Sequence, residues 1–325
     1  MDGFRIPVGT WVDAGVDWLR DNLSGLFDVI AVVVRFLVGG LSDVLLAAPI
    51  VVVIVVAALL AWLIRSWKLA LGTLVGFALI LAMGQWVTAM QTLALVVVAA
   101  AVAVAISVPL GIWSARNPAV RAVMKPVLDF MQTMPAFVYL IPAITFFSIG
   151  VVPGVVATVI FALPPGVRLT ELGIRGVDAE TVEAGHAFGA TPAQILRGIQ
   201  LPLAMPTIMA GVNQVIMLAL SMAVVAGMVG ADGLGKEVVQ SISTVNLPKG
   251  VEAGLSVVIL AVYLDRLTAA LGTRAANTSS LLAALDRRRG PGTPAADAAG
   301  EAADAAGEAG HQVASPRRAP ITTGA

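Results

Sequence analysis

EAGHAFGATPAQILRGIQLP, residues 183–202, is a polar segment, punctuated by Gly and Pro, between two long apolar runs. It cannot sit in lipid, and it is too patterned for an ordinary connector. Asp178 is placed to cap a short helix, with Glu180 and Glu183 toward its positive end. Gly189 supplies the left-handed residue that stops it. Thr191-Pro192 then restarts a helix, Thr as N-cap and Pro at the first helical position. That second helix carries Ile195, Leu196 and Ile199 on one side, and Leu201-Pro202 is expected to end it. The predicted unit is helix, sharp turn, helix, held close to a membrane.

The membrane follows from composition. The chain has 325 residues, 58% hydrophobic and only 12% charged, and its mean hydropathy is +0.92. A soluble domain carries about 25% charged residues, so this chain cannot cover itself with water-compatible surface. The formal net charge is zero and gives no sign of a nucleic-acid partner. There is no Cys, hence no disulfide framework, thiol nucleophile or Cys-based zinc site. The two His, His186 and His311, are far apart, so no metal site is expected. The first residues lack an apolar core and do not read as a cleavable signal peptide.

Outward from the polar segment, the chain divides into uncharged runs. Residues 1–44 mix Trp11, Val16, Trp18, Leu19 and Leu23 with Asp13, Asp17, Arg20 and Asp21, which predicts an extracytoplasmic amphipathic helix, either at the membrane surface or packed on the rest as a short soluble helix. Spans are expected at 45–64, 69–85, 89–112, 135–150, 154–170, 203–231 and 251–270, seven in all. The first two of these fill 45–84; a core with the polar loop 178–202 fills 85–272. Residues 273–325 form a cytoplasmic tail rich in Ala, Gly, Pro and acidic residues, expected to be largely disordered. With the N-terminus outside, Arg65, Lys68, Arg116, Arg121, Lys125, Arg168, Arg175, Arg197 and Arg274 all fall on the inner side. The positive-inside rule then places 183–202 in the cytoplasm. Lys236 and Lys249 in the loop 231–250, and Arg5, Arg20 and Arg35 near the N-terminus, dissent mildly.

The spacing Glu183-Ala184-Gly185, three residues, Gly189, nine residues, Ile199, one residue, Leu201-Pro202 resembles the signature loop of permease subunits of ATP-binding-cassette (ABC) importers. Gly185 departs from the pattern, which usually has a second Ala there. The resemblance extends over DFMQTMPAFVYLIP (129–142), IFALPPGVRLTELGI (160–174), QLPLAMPTIMAGVNQ (200–214), LALSMAVVAGMVGADGLG (218–235) and AVYLDRLT (261–268), which are similar to the glycine betaine, proline betaine, choline and carnitine branch. It covers roughly residues 69–272. It implies an all-α polytopic membrane protein of the type I ABC importer permease fold, working as a homodimer in the bacterial inner membrane. It implies a cytoplasmic ATPase subunit that binds ATP and Mg²⁺, an extracytoplasmic substrate-binding protein, and no cofactor in this chain. The helix Glu183–Phe188 should dock on the ATPase, with Gly189 allowing the turn.

Two further features bear on function. Gly230-Ala-Asp-Gly-Leu-Gly235-Lys236 matches seven positions of a phosphate-binding loop, but Glu237 stands where Ser or Thr would hold Mg²⁺, and an apolar span precedes it instead of a strand. The spans hold almost no ionisable residue beyond Asp265 and Arg266, which argues against a proton relay and for an external energy source. Gln132, Thr133, Tyr139, Asn213, Gln214 and Ser221 are the uncharged polar residues left to line a path or to join helices. Tyr139, Phe146, Phe147 and Phe161 are too scattered for a tight cation cage. The competing classes are an importer for another small solute, an ion-coupled carrier or channel, and a non-transporting scaffold.

Overall fold

The computed structural model describes residues 8–272. The tail read over 273–325, with His311, lies outside the described residues. Twelve α-helices follow in order: α1 Val8–Ala47, α2 Ile50–Ile64, α3 Trp67–Ala82, α4 Trp86–Arg116, α5 Pro118–Thr133, α6 Leu140–Phe147, α7 Val151–Arg175, α8 Ala179–Ala187, α9 Pro192–Ile195, α10 Leu201–Ala226, α11 Leu234–Ser243 and α12 Leu247–Gly272. No strand occurs among the described residues.

The seven runs read as spans correspond to α2, α3, α4, the α5–α6 pair, α7, α10 and α12, with altered ends. The run 45–64 is not one helix: α1 stops at Ala47, and Pro49 precedes α2. Helices α2 and α3, of 15 and 16 residues, are about 22–24 Å long, short of the ~30 Å hydrocarbon core. The polar-to-apolar boundary in α1 falls after Asp28 and not at residue 44. From Val29 the helix is apolar nearly all round, and α1 has the length and composition of a span. Ala31, Val34 and Val38 bury one face of it in the main core, while Phe27 stacks on Phe146 with ring centroids 4.5 Å apart.

The run 135–150 is broken as well. Proline 135 holds Met134 in an extended conformation (ψ 132°), as a residue before Pro prefers. The chain there bends by 109° between Pro118–Thr133 and Ala136–Phe147.

Helices α4, α7 and α10 form the centre, and small residues let them approach. A Cβ on Gly166 of α7 would lie 2.8 Å from Ser107 Cβ of α4, and one on Gly211 of α10 would lie 3.0 Å from Leu169 Cβ of α7. This is the packing expected where lipid removes the hydrophobic drive between helices and close van der Waals contact takes over. A second tie joins α10 to α12: Asn213 Nδ2 donates to Asp265 Oδ1 (3.0 Å), and Thr268 Oγ1 donates to Asn213 Oδ1 (2.6 Å).

The packing sorts the loops to two ends. At one end Gly150 N–H donates to Val229 O (2.9 Å) and Leu234 N–H to Thr92 Oγ1 (2.8 Å). At the other, Ser114 Oγ donates to Glu171 (2.8 Å), and Arg175 and Arg121 lie 3.7 and 4.0 Å from that carboxylate. The segment 183–202 belongs to this second, basic end.

Candidate functional site: the polar loop and its surroundings

Local chemistry builds the loop as its residues predict. Asp178 Oδ1 accepts the Glu180 N–H at the start of α8. Helix α8 ends in a Schellman motif: Ala190 N–H reaches Gly185 O (3.1 Å), and Gly189 N–H reaches His186 O (2.9 Å). Gly189 has φ +79°, which L side chains rarely adopt. Thr191 and Gln194 form a capping box around Pro192 at the start of α9.

The two short helices pack on each other through Gly185, which is buried. A Cβ there would lie 2.7 Å from Ile199 Cδ1 and 3.4 Å from Ile195 Cγ1. An alanine methyl at 185 would fit only if the end of the Ile199 side chain shifted, so glycine gives the closer approach of α8 to Ile195 and Ile199. Leu196 is buried beside Ile174, Ala204 and Ile208, anchoring the loop to α7 and α10, and Ile195 is buried next to Gly185. The outer surface is bare. Phe188 is 92% exposed, Glu183 and Ala184 are exposed, and a Cβ on Gly189 would meet nothing within 4 Å. Between α8 and the ends of α4 and α7 lies a cleft of about 490 Å³ lined by Arg116, Arg175, Glu183 and His186, among others.

One expectation about the loop fails. The second helix does not stop at Leu201-Pro202. It passes through a π-helical turn, Leu196–Gln200, directly into α10, so that Pro192–Val229 is one helical column. Proline 202 has no N–H to give to the carbonyl four residues back, and its ring crowds that carbonyl. The wider turn removes the conflict, with Leu201 N–H bonding to Leu196 O instead.

The polar residues proposed for a path separate into three groups. Tyr139 is buried, its hydroxyl donates to Met131 O, and its ring sits edge-on to Phe161. Asn213 is committed to the tie with α12 described above. Gln132 and Thr133 are exposed beside the Pro135 bend, and Gln214 and Ser221 are exposed on one face of α10 together with Met217. Phe146 and Phe147 pack on Phe27. Of the four aromatics weighed for a cation cage, two face Phe27 and two face each other.

The glycines of 227–236 serve packing. A Cβ on Gly227 would lie 2.3 Å from the Gly235 carbonyl carbon, so the backbones of α10's end and α11 touch. The amide that a phosphate would need at Leu234 is held by Thr92. Lys236 is ion-paired with Asp232 at 2.7 Å, a hydrogen bond that raises the ammonium pKa. Nothing in the sequence announced the Gly227–Gly235 contact, because close approach of two backbones has no local signature.

Comparison with known proteins fits this architecture. Residues 107–277 match the family "Binding-protein-dependent transport system inner membrane component". The glycine betaine transport system permease protein OpuAB of Bacillus subtilis is 51% identical over 264 residues, covering 81% of this chain and 94% of that protein. The glycine betaine/proline betaine permease protein ProW of Escherichia coli is 49% identical, covering 82% and 75%. The glycine betaine/carnitine permease protein GbuB of Listeria monocytogenes is 48% identical, covering 83% and 97%. Among solved structures, an inward-facing MetNI methionine ABC transporter chain superposes with a TM-score of 0.50 at 25% identity, over 57% of this chain and 90% of that one. The chain thus belongs to the binding-protein-dependent inner membrane components: it is a multi-pass permease subunit of an ABC importer, not an enzyme, and works with a separate ATPase and a substrate-binding protein.

Proposed function

We propose that this permease forms the path for a quaternary ammonium osmoprotectant of the glycine betaine, proline betaine, choline or carnitine class. The carrying observation is identity of 48–51% over four fifths of the chain to three permeases whose names share glycine betaine. The solute crosses between two copies of the chain. In a single copy, Gln132, Thr133, Gln214 and Ser221 are exposed among apolar neighbours, a mixture better suited to a lined path than to lipid. The remaining exposed apolar surface faces membrane lipid.

The coupling loop is Glu183, Ala184, Gly185, Phe188, Gly189, Ile199, Leu201 and Pro202. Its bare α8 surface docks on the ATPase, which alone holds ATP and Mg²⁺; this chain carries no cofactor. Closure of two ATPase subunits draws the two α8 helices together and switches the path between outward- and inward-facing states. The C-terminal end lies inside; the N-terminus lies outside when the number of crossings is odd, so with seven crossings supplied by α2 to α12, α1 lies along the membrane surface on this reading. Supporting this, Arg116, Arg121, Lys125, Arg168 and Arg175 gather at the end that carries the loop.

Uptake into proteoliposomes of permease, ATPase and binding protein tests the substrate. Labelled glycine betaine, proline betaine or carnitine should accumulate only with ATP; accumulation of none of the panel points to another solute. Uptake surviving removal of the ATPase would favour an ion-coupled carrier or channel. Topology has its own test, because the chain has no Cys. Ala193→Cys and Ser243→Cys, both exposed, should react with a membrane-impermeant thiol reagent from opposite sides. Labelling from one side refutes the orientation. Ser241 would be a poor reporter, since it is buried against Gly250.

A further inference from the structure

We infer that Pro202 is a positioning residue: through the π-helical turn it imposes, it sets the direction in which the α8 docking surface faces. The inference rests on the coupling-loop reading above.

The observations are local and connected. The column Pro192–Val229 is helical throughout, yet its hydrogen bonding widens at Leu196–Gln200. Such a turn holds one residue more than an α-helical turn. Each residue advances a helix by about 100°, so the turn rotates α9 by about that angle against α10. Everything N-terminal to it rotates too. Gly185 of α8 is clamped against Ile195 and Ile199, one on each side of the start of the π turn. Helix α8 therefore follows the turn. With the turn in place, Leu196 packs with Ile174, Ala204 and Ile208, Ile195 is buried beside Gly185, and Phe188 faces outward, 92% exposed.

In a regular α-helix of the same sequence the burial of Ile195 and the exposure of Phe188 could not both keep their present relation to α10. A regular helix would set the Pro202 ring against the carbonyl of residue 198, a conflict the wide turn relieves; Pro109, Pro126 and Pro206 sit in helices that stay α, so on this inference it is Pro202 together with the anchored Leu196 that holds the turn open. Residue 198, whose carbonyl would meet the proline ring, is glycine with open space around it, so the widened turn meets no obstacle. A wide turn is retained against the ordinary preference for α geometry, and the column above it leads without a break to the Gly227–Gly235 contact at the opposite end. The direction of α8 and the position of α10 are thus linked through five residues.

Two variants test this. Pro202→Ala restores the missing donor and lets the turn close. Deletion of Gly198 removes the extra residue outright. Each is purified with its ATPase and binding protein, and three quantities are read: thermal melting in detergent, ATPase pull-down, and solute carried per ATP hydrolysed. The inference expects Pro202→Ala to melt no lower than wild type while solute per ATP falls by about fivefold or more, or while pull-down is lost. The deletion should show the same loss of coupling. A proline that mattered only for folding gives the opposite pattern: Pro202→Ala then melts lower and loses activity in proportion to folded protein. That result overturns the inference, as does wild-type solute per ATP in Pro202→Ala. Gly189→Asp in the same assay separates the two readings. If Gly189→Asp transports normally, the coupling-loop reading fails; if it is inactive while Pro202→Ala is wild type, only the role of Pro202 fails.

Discussion

Gly189→Asp is expected to leave the permease inserted and folded but to abolish ATPase pull-down and solute uptake. The fold should survive for two reasons. A Cβ at residue 189 meets nothing within 4 Å inside the chain, so no packing is disturbed. Gly189 has φ +79°, and Asp is among the residues that tolerate the left-handed region, at about 1 kcal/mol relative to Gly. The Schellman bonds of Gly189 and Ala190 are made by backbone amides, which Asp keeps. The loss therefore has to arise outside the chain. At a closed docking face an unpaired carboxylate costs several kcal/mol, roughly a hundredfold or more in affinity. Wild-type uptake, with the variant shown to be inserted, would remove the docking role from this loop.

The loop was legible in the sequence because its structure follows from local rules. Asp178, Gly189, Thr191 and Pro192 each fix the geometry within a turn of their own positions, and the caps appear where those residues put them. The membrane class was legible from charge content alone. What escaped was non-local or a choice between two local outcomes. Leu201-Pro202 reads as a helix end, but a helix can also widen around a proline, and burial of Leu196 against Ile174 of α7 and Ala204 and Ile208 of α10 favours continuity. The end of α1 escaped because Arg35 and Asp43 interrupt its second half, which is otherwise apolar from Val29 to Ala47. Asn213 looked free to line a path; its partner Asp265 is 52 residues away, and only the crossing of α10 and α12 brings them together.

Gly227→Leu is expected to be the most damaging single substitution outside the coupling loop. The neighbours of its Cβ are all backbone: Gly235 C at 2.3 Å, Lys236 N at 2.4 Å and Gly235 O at 2.7 Å. No side chain can swing aside, so α11 must move away from α10. The contact is mutual, since a Cβ on Gly235 would lie 2.6 Å from Ala223 O. Moving α11 withdraws Leu234, fully buried, from the core and breaks its N–H bond to Thr92 Oγ1 at 2.8 Å. It also strains the bond from Gly150 N–H to Val229 O at 2.9 Å, which holds α7 to the same loop. Overpacking alone costs about 1–3 kcal/mol, and a buried amide left without a partner about 1–3 more. For a chain of this size the sum lowers the melting temperature by on the order of 10 °C, with loss of uptake following from the displaced α10–α11 connection. Gly254→Leu on α12 is the control, because nothing lies within 4 Å of a Cβ there. It should melt within a degree or two of wild type, as substitutions that meet no neighbour change stability by about 0.5 kcal/mol or less. Equal melting of the two variants would mean that α10 and α11 do not touch through Gly227 and Gly235, and the packing of the α10–α11 connection would have to be redrawn.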